Sequence, residues 1–314
     1  MKSRETLPLS LVHACFLCVS AVLAFAASAE QPNTFDVQTF NVGDGPHYLT
    51  SDGANIWVTN YDADTVSKLR ASDGVKLGTF AVEDGPDSIA FDGTNIWVAS
   101  FLGDTVTKLL ASDGTVLGTF AVNSPYGIAY DGANIWIASY DDDTVIKLRA
   151  SDSTVLGIFP VGRGPSDVIF DGTSIWVANE FSVKVTQLRP SDGTVLRSVQ
   201  VGDNPYKLAF DGANVWVLHS NSPSAVNAVR ASDGKALGTF PVSEFSFGIA
   251  AAGGLIWISF RSSNTVDAFS AHDGTSRGTI AVGKNPFGVY FDGTSIWVAN
   301  YRTHSVSKIT PTSQ

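Results

Sequence analysis

One strand-like stretch is written seven times along the chain. It reads DGANIWVTN at 52–60, DGTNIWVAS at 92–100, DGANIWIAS at 131–139, DGTSIWVAN at 171–179, DGANVWVLH at 211–219, GGLIWISF at 253–260 and DGTSIWVAN at 292–300. The tryptophans Trp57, Trp97, Trp136, Trp176, Trp216, Trp257 and Trp297 all belong to it, at spacings of 40, 39, 40, 40, 41 and 40 residues. A fixed period near 40 points to a repeat architecture in which each unit buries its apolar faces against its neighbours. Within one unit four short β-prone runs follow each other, at 87–91, 95–100, 105–111 and 115–122. Asp92-Gly93 joins the first pair and Ser112-Asp113-Gly114 the last. Asp-Gly between such runs is a hairpin signal, because Gly accepts positive φ and Asp bonds the turn backbone. Four antiparallel strands per unit make a propeller blade. A helical repeat is excluded, since Gly and Asp interrupt every run and no 3.6-residue stripe persists. Runs such as IWVA are apolar on both faces, as expected of sheets covered on each side by another blade. The recurring tryptophans are expected to fill the wedge between blades.

The two ends of the repeat array carry a sharper expectation. Residues 35–42, FDVQTFNV, match the fourth strand of a unit, and the last unit stops after its third, SVSKIT at 305–310. Pairing 35–42 with 305–310 closes the ring and removes its open edges. The expected fold is therefore all-β, a seven-bladed β-propeller of four-stranded antiparallel blades, closed by the N-terminal strand in the last blade.

Ahead of the repeats, Lys2 and Arg4 precede an apolar stretch from Leu7 to Phe25 and then Ala27-Ser28-Ala29. This is the pattern of a signal peptide over residues 1–29, with cleavage near Ala29 and a single propeller domain over 30–314. A secreted or periplasmic protein is expected. Both cysteines, Cys15 and Cys18, fall in that leader, so the mature chain has no thiol for a disulfide, a nucleophile or a zinc site. The full chain has 20 basic and 30 acidic side chains; without Lys2, Arg4 and Glu5, 18 and 29 remain, a net charge near −11. That sign speaks against nucleic acid and anionic membrane surfaces as partners. No later segment is apolar for long enough to span a bilayer. A monomer is expected.

The repeat unit P-x-x-I-A-F-D-G-x-N-I-W-V-A-N-x-x-x-x-T-V-x-K-L-x-x-S-D-G-x-x-L-G-T-F-x-V-G resembles that of the YVTN, or YncE-like, β-propellers, with IWVTN60 and IWVAN179 at the position of the name motif. The likeness covers residues 35 to 310 and implies an extracytoplasmic propeller. The streptogramin-lyase-like propellers are similar, but their repeats carry a Trp-Phe-Thr-Glu run where this chain has Asn, Ser, His or Phe in place of Glu. Their catalytic residues are therefore not carried over. The Trp-Asp pair of WD repeats is absent, the sialidase Asp box needs one more residue between Asp and Gly, and the repeat lends no support to a quinoprotein assignment.

Antiparallel blades put the first-to-second and third-to-fourth turns on one face, and the second-to-third loops with the blade-to-blade connections on the other. The first set is monotonous. The second differs from blade to blade: YDAD at 61–64, FLGD at 101–104, YDDD at 140–143, EFSV at 180–183, SNSPS at 220–224, RSSN at 261–264 and YRTH at 301–304. Loops that differ where scaffold turns do not are where a ligand or partner would be met. Blades 4 to 6 depart most, and Glu180, Lys207, His219 and Arg261 form a candidate polar cluster at the channel rim. Lys207 and Arg261 would bind an anionic ligand, while Glu180 and His219 are the candidate catalytic pair for a lyase or hydrolase, the alternative to a ligand-binding or protein-interaction scaffold. Tyr48, Tyr126, Tyr206, Phe247 and Phe287 start inner strands and would either stack on a sugar or peptide ring or plug the channel. Asp62, Asp64, Asp141 and Asp143 lack the spacing of a calcium loop and read as turn caps, and His47 with His304 lacks a third metal ligand. No cofactor is expected, though a divalent cation is left possible; the partner is an unspecified small molecule, glycan or protein.

Overall fold

The computed structural model describes residues 35–220, 225–242 and 245–311. Residues 1–29, expected to be a signal peptide, and both cysteines lie outside the described residues, as do four of the five residues of the blade 5 loop. Seven four-stranded antiparallel sheets are present, and six consist of four consecutive strands. In blade 2 these are Pro86–Phe91, Asn95–Ser100, Thr105–Leu110 and Val116–Ala121, within a residue or so of the runs read from the sequence. The seventh sheet takes its outer strand from the start of the repeats: Phe35–Asn41 pairs in unbroken register with Ser305–Pro311. Ring closure is as expected.

The second strand of each blade is buried along its length, whereas fourth strands alternate between exposed and half-buried positions. Core clusters run between blades rather than within them. One joins Trp97 and Val106 of blade 2 to Ile135, Ile137 and Leu148 of blade 3. A fourth-strand aromatic lies on the tryptophan of its own blade, Phe80 on Trp57 at 5.4 Å and Phe240 on Trp216 at 5.5 Å. Gly114 of blade 2 then presses on Phe80 of blade 1, leaving no room for a Cβ.

The Asp of the Asp-Gly turn does more than shape the turn. In blade 2, Asp92 Oδ1 accepts from the amides of Thr94 and Asn95, and Oδ2 accepts from Trp97 Nε1 at 2.7 Å. The same Asp-to-indole bond recurs at Trp57, Trp136, Trp176, Trp216 and Trp297. Blade 6 has Ala252 at the Asp position, and Trp257 Nε1 is buried without a partner.

Two further devices tie blade to blade. The third-strand lysine lies over its own tryptophan and donates to a carbonyl in the next blade: Lys68 to Ala111 O and Lys108 to Ala150 O, both at 2.7 Å, and Lys147 to Pro190 O at 2.6 Å. Lys308 closes the circle on Ala71 O. In blades 5 and 6 this position is Ala228 and Ala268. The other device is the last residue of the second-to-third loop, which is left-handed and caps an amide of the following connection. Asp64, Asp104, Asp143 and Asn264, with φ of 50 to 60°, accept from Gly85, Ser124, Gly164 and Asn285.

In blade 4 that left-handed position is Val183, at φ 52°. A β-branched side chain is strained there by about 1–2 kcal/mol and offers the connection no acceptor. Val183→Asp is therefore expected to raise stability by about 1–2 kcal/mol, read as a higher urea midpoint at unchanged slope. A lower midpoint would show that the valine packs better than the aspartate caps.

Candidate functional site

Each first strand enters at the axis on the loop face, and the residue after its leading proline or serine is His47, Asp87, Tyr126, Ser166, Tyr206, Phe247 or Phe287. The residue after that is Gly127, Gly248 or Gly288 in three blades. A Cβ on Gly127 would stand 2.6 Å from Asp167 Cα, and one on Gly288 2.5 Å from the His47 carbonyl, so these glycines let neighbouring strands draw together. Tyr48, Asp167 and Lys207 occupy the equivalent positions in other blades and fill the space so narrowed.

The aromatics plug this end of the channel. Tyr126 meets Tyr206 edge-on, with their hydroxyls 2.9 Å apart; Tyr206 meets Phe247, Phe247 meets Phe287, and Phe287 stacks on His47 at 4.4 Å. Burial first, and the negative charge of Asp87 among the further causes, pushes the phenols of Tyr48, Tyr126 and Tyr206 above their ordinary range. They stay neutral in this setting. His47 is sandwiched between Tyr61 and Phe287 and donates from Nδ1 to Asp87 Oδ1 at 2.7 Å, both groups being buried. This His-Asp pair escaped the sequence reading, because the two residues lie 40 positions apart and share only the place after proline.

The four residues of the candidate polar cluster each have separate partners. Lys207 is buried, with Nζ 3.7 Å from Asp167 Oδ1 and 4.0 Å from the centre of the Tyr48 ring. Glu180 accepts from Tyr140 Oη at 2.7 Å and Ser220 Oγ at 3.1 Å. His219 stands where most blades have Asn or Ser; its Nδ1 donates to the Asp203 carbonyl, leaving Nε2 buried and without a hydrogen-bond partner. Arg261 bonds Asn285 and lies over Phe247 and Phe287. Among the described residues no hydrogen bond or ion pair joins any two of the four. Asp62 accepts from Tyr301, Asp141 from Ser124, and Asp64 and Asp143 cap connections. No group of three or more potential metal ligands forms among the described residues.

Outward from the plug, the aromatic contacts continue without a break. Phe101 and Tyr140 pack on Tyr126, Phe181 on Tyr140, Phe245 on Phe247, and Tyr301 on Phe287. Leu102, Phe181 and Phe245 stand in solvent at 60%, 54% and 38% exposure. Charge divides the same face. From the connection into blade 1 to the loop of blade 3 this face carries Asp44, Asp62, Asp64, Glu83, Asp84, Asp104 and Asp141–Asp143 with no Lys or Arg, the first being Arg163 in the connection to blade 4, while Arg261, Lys284 and Arg302 lie at blades 6 and 7.

A family profile, PQQ_2, described as outer membrane protein assembly factor BamB, matches residues 48–279. The chain belongs to the BamB family. The repeat unit resembles that of YVTN propellers and by itself lends no support to a quinoprotein assignment, whereas the family profile that matches is the BamB one. No curated protein sequence matches this BamB-family chain. Among solved structures it is similar to the streptogramin B lyase structure, with a TM-score of 0.76 at 19% identity over 90% of this chain and 100% of that one. Kuenenia stuttgartiensis hydrazine synthase gives 0.76 at 17% identity, covering 93% and 99% of the two chains, and U3-55K gives 0.77 at 13%, covering 88% and 98%. At these identities the likeness is one of fold, which does not fix function.

Proposed function

We propose that this BamB-family propeller is an exported, YVTN-like interaction scaffold that holds another polypeptide on its divergent loop face. The continuous aromatic seam across that face carries this reading. Tyr, Phe and Arg are the residues that dominate protein interfaces, and an apolar centre with a charged rim is the usual anatomy of one. Because the seam also plugs the axis on this side, the face offers a broad surface rather than a deep pocket. The acidic stretch over blades 1 to 3 favours a partner segment that is apolar and basic. Several observations support the reading: the leader at residues 1–29 fits a periplasmic or secreted protein, the family description names an assembly factor, and among the described residues no helix is long and apolar enough to cross a membrane. Glu180 and His219, each held by its own partners, are given no catalytic role.

A photo-crosslinking amino acid placed at Leu102 or Phe181 in the native host is expected to give discrete polypeptide adducts. The same group at Leu117 or Leu156, exposed on outer strands, serves as the comparison. Adducts of equal intensity from both sets, or none from Leu102 and Phe181, would rule the loop face out.

A further inference from the structure

Below the aromatic plug the channel widens into a cavity of about 480 Å³ that opens on the opposite face, among the repeated Asp-Gly turns. Its wall is a ring of one aliphatic side chain per blade: Leu49, Ile89, Ile128, Val168, Leu208, Ile249 and Val289. The floor is polar, formed by Tyr48, Ser88, Asp167 and Lys207. At the mouth, blades 2, 3 and 7 present Phe91, Tyr130 and Phe291, whereas blade 6 presents Ala251 at the same strand position. The small residue leaves the rim open on that side.

Lys207 is the one cation in this lining, and its surroundings are incomplete. The faces of Tyr48, Tyr126 and Tyr206 lie 4.0 to 5.5 Å from Nζ. The nearest carboxylate oxygen is at 3.7 Å, beyond hydrogen-bond length. Asp167 is held back from closing that gap, because its Oδ2 accepts the Leu208 amide at 2.9 Å. An ammonium has three donors to place. A cavity of this size is within the range of small-ligand sites, about 300–1,000 Å³, and its apolar wall with a few polar groups at one end is their usual composition.

We propose that this funnel binds a small organic acid, entering from the Asp-Gly face, with its oxyanion head on Lys207 and its apolar body against the aliphatic ring. The site is independent of the interaction surface, which occupies the other face. An inorganic anion alone would leave the wall uncovered, and a neutral apolar ligand would leave the ammonium donors unmatched.

Three isosteres test this on the purified full chain by titration calorimetry: 4-phenylbutyrate, its amide, and 4-phenylbutylamine. The carboxylate is expected to bind at least about tenfold more tightly than the amide, as a charge-assisted hydrogen bond provides, and more tightly than the amine. Lys207→Met is expected to abolish that preference. Since this variant also strands a buried Asp167, Ala251→Phe supplies a second test. It installs at the mouth the aromatic found at this position in blades 2 to 5 and 7, and is expected to weaken all carboxylate binding at least tenfold while the chain still unfolds cooperatively. Equal affinity for carboxylate and amide, stronger binding of the amine, undiminished binding in Ala251→Phe, or no binding of the carboxylate at millimolar concentration would each overturn the proposal.

Discussion

A chain that begins at residue 43 is expected to lose cooperative unfolding altogether and to associate. The missing strand, Phe35–Asn41, contributes a full antiparallel ladder to Ser305–Pro311, and Val42 N bonds the His304 carbonyl. It also brings Phe35 edge-on to Trp257 at 5.6 Å and Phe40 to Trp297 at 5.9 Å. Partial burial of these two phenylalanines contributes about 1–3 kcal/mol and the lost ladder adds to it, a sizeable part of the roughly 5–15 kcal/mol that holds a domain folded. Its removal also bares Ser305–Pro311 as a sheet edge able to pair with another chain. Thermal scans with light scattering would show a broad, scattering transition in place of a single sharp one. Grafting residues 35–42 after residue 311 through a Ser-Asp-Gly turn should restore the single transition, because each of the other six blades makes a third-to-fourth hairpin at this place, four of them through Ser-Asp-Gly. A truncated monomer with an unshifted midpoint would show that the closing strand is dispensable.

Replacing Asp92 by alanine is expected to cost about 3 kcal/mol at neutral pH, from losing charge-assisted bonds to the turn and leaving Trp97 Nε1 buried without an acceptor. The effect is tied to pH in a defined direction. Burial works against the charge on Asp92, but hydrogen bonds from Trp97, Asn95 and Thr94 outweigh it and hold the carboxyl below the usual range; Asp52 and Asp131 behave alike. A depressed folded pKa means that these groups stabilise fully above the unfolded value, about 3.9, and that the contribution is lost as pH falls through the folded value. Urea midpoints of the native chain should thus be level from pH 7 to about 5 and drop steeply below about 4, and the penalty of Asp92→Ala should shrink over the same acid range. A penalty that persisted unchanged at pH 2 would mean that the turn depends on side-chain shape rather than charge.

The ring was legible because its determinants are local and repeated. Asp-Gly turns, alternating short runs and an orphan fourth strand at residues 35–42 are properties of sequence order, and the register of Phe35–Asn41 on Ser305–Pro311 follows from them. The Asp-to-Trp bond was also within reach, since the two residues keep a constant five-residue offset in six blades. The candidate site was less legible. The repeat comparison places Lys207 at the rim of the loop face, whereas its side chain lines the floor of a cavity opening the other way. That outcome depends on how closely seven strands converge, which glycines 127, 248 and 288 set in combination and no single blade encodes. Glu180, His219 and Arg261 looked like one cluster because they break the same repeat position, yet each break is answered by a different neighbour. On sequence alone the five inner-strand aromatics fit either a stacking platform or a plug; in the structure they pack on one another across the axis.

The lysine ties do not run the whole way round. They link blade 7 to 1, 1 to 2, 2 to 3 and 3 to 4, and Gln187 reaches the Ala231 carbonyl at 3.4 Å, but Ala228 and Ala268 have nothing to extend toward blades 6 and 7. Mechanically the molecule is a hoop with a seam. Blade 6, which also lacks the acceptor for its indole, has no lysine tie on either side; toward blade 7 it is joined instead by Ser259 donating to the Phe287 carbonyl and by the bonds of Arg261 and Asn264 to Asn285. Strain or heat applied to the hoop would part it first at the joint of blades 5 and 6, and Ala251, at the mouth of the funnel, rides on a blade that borders that joint.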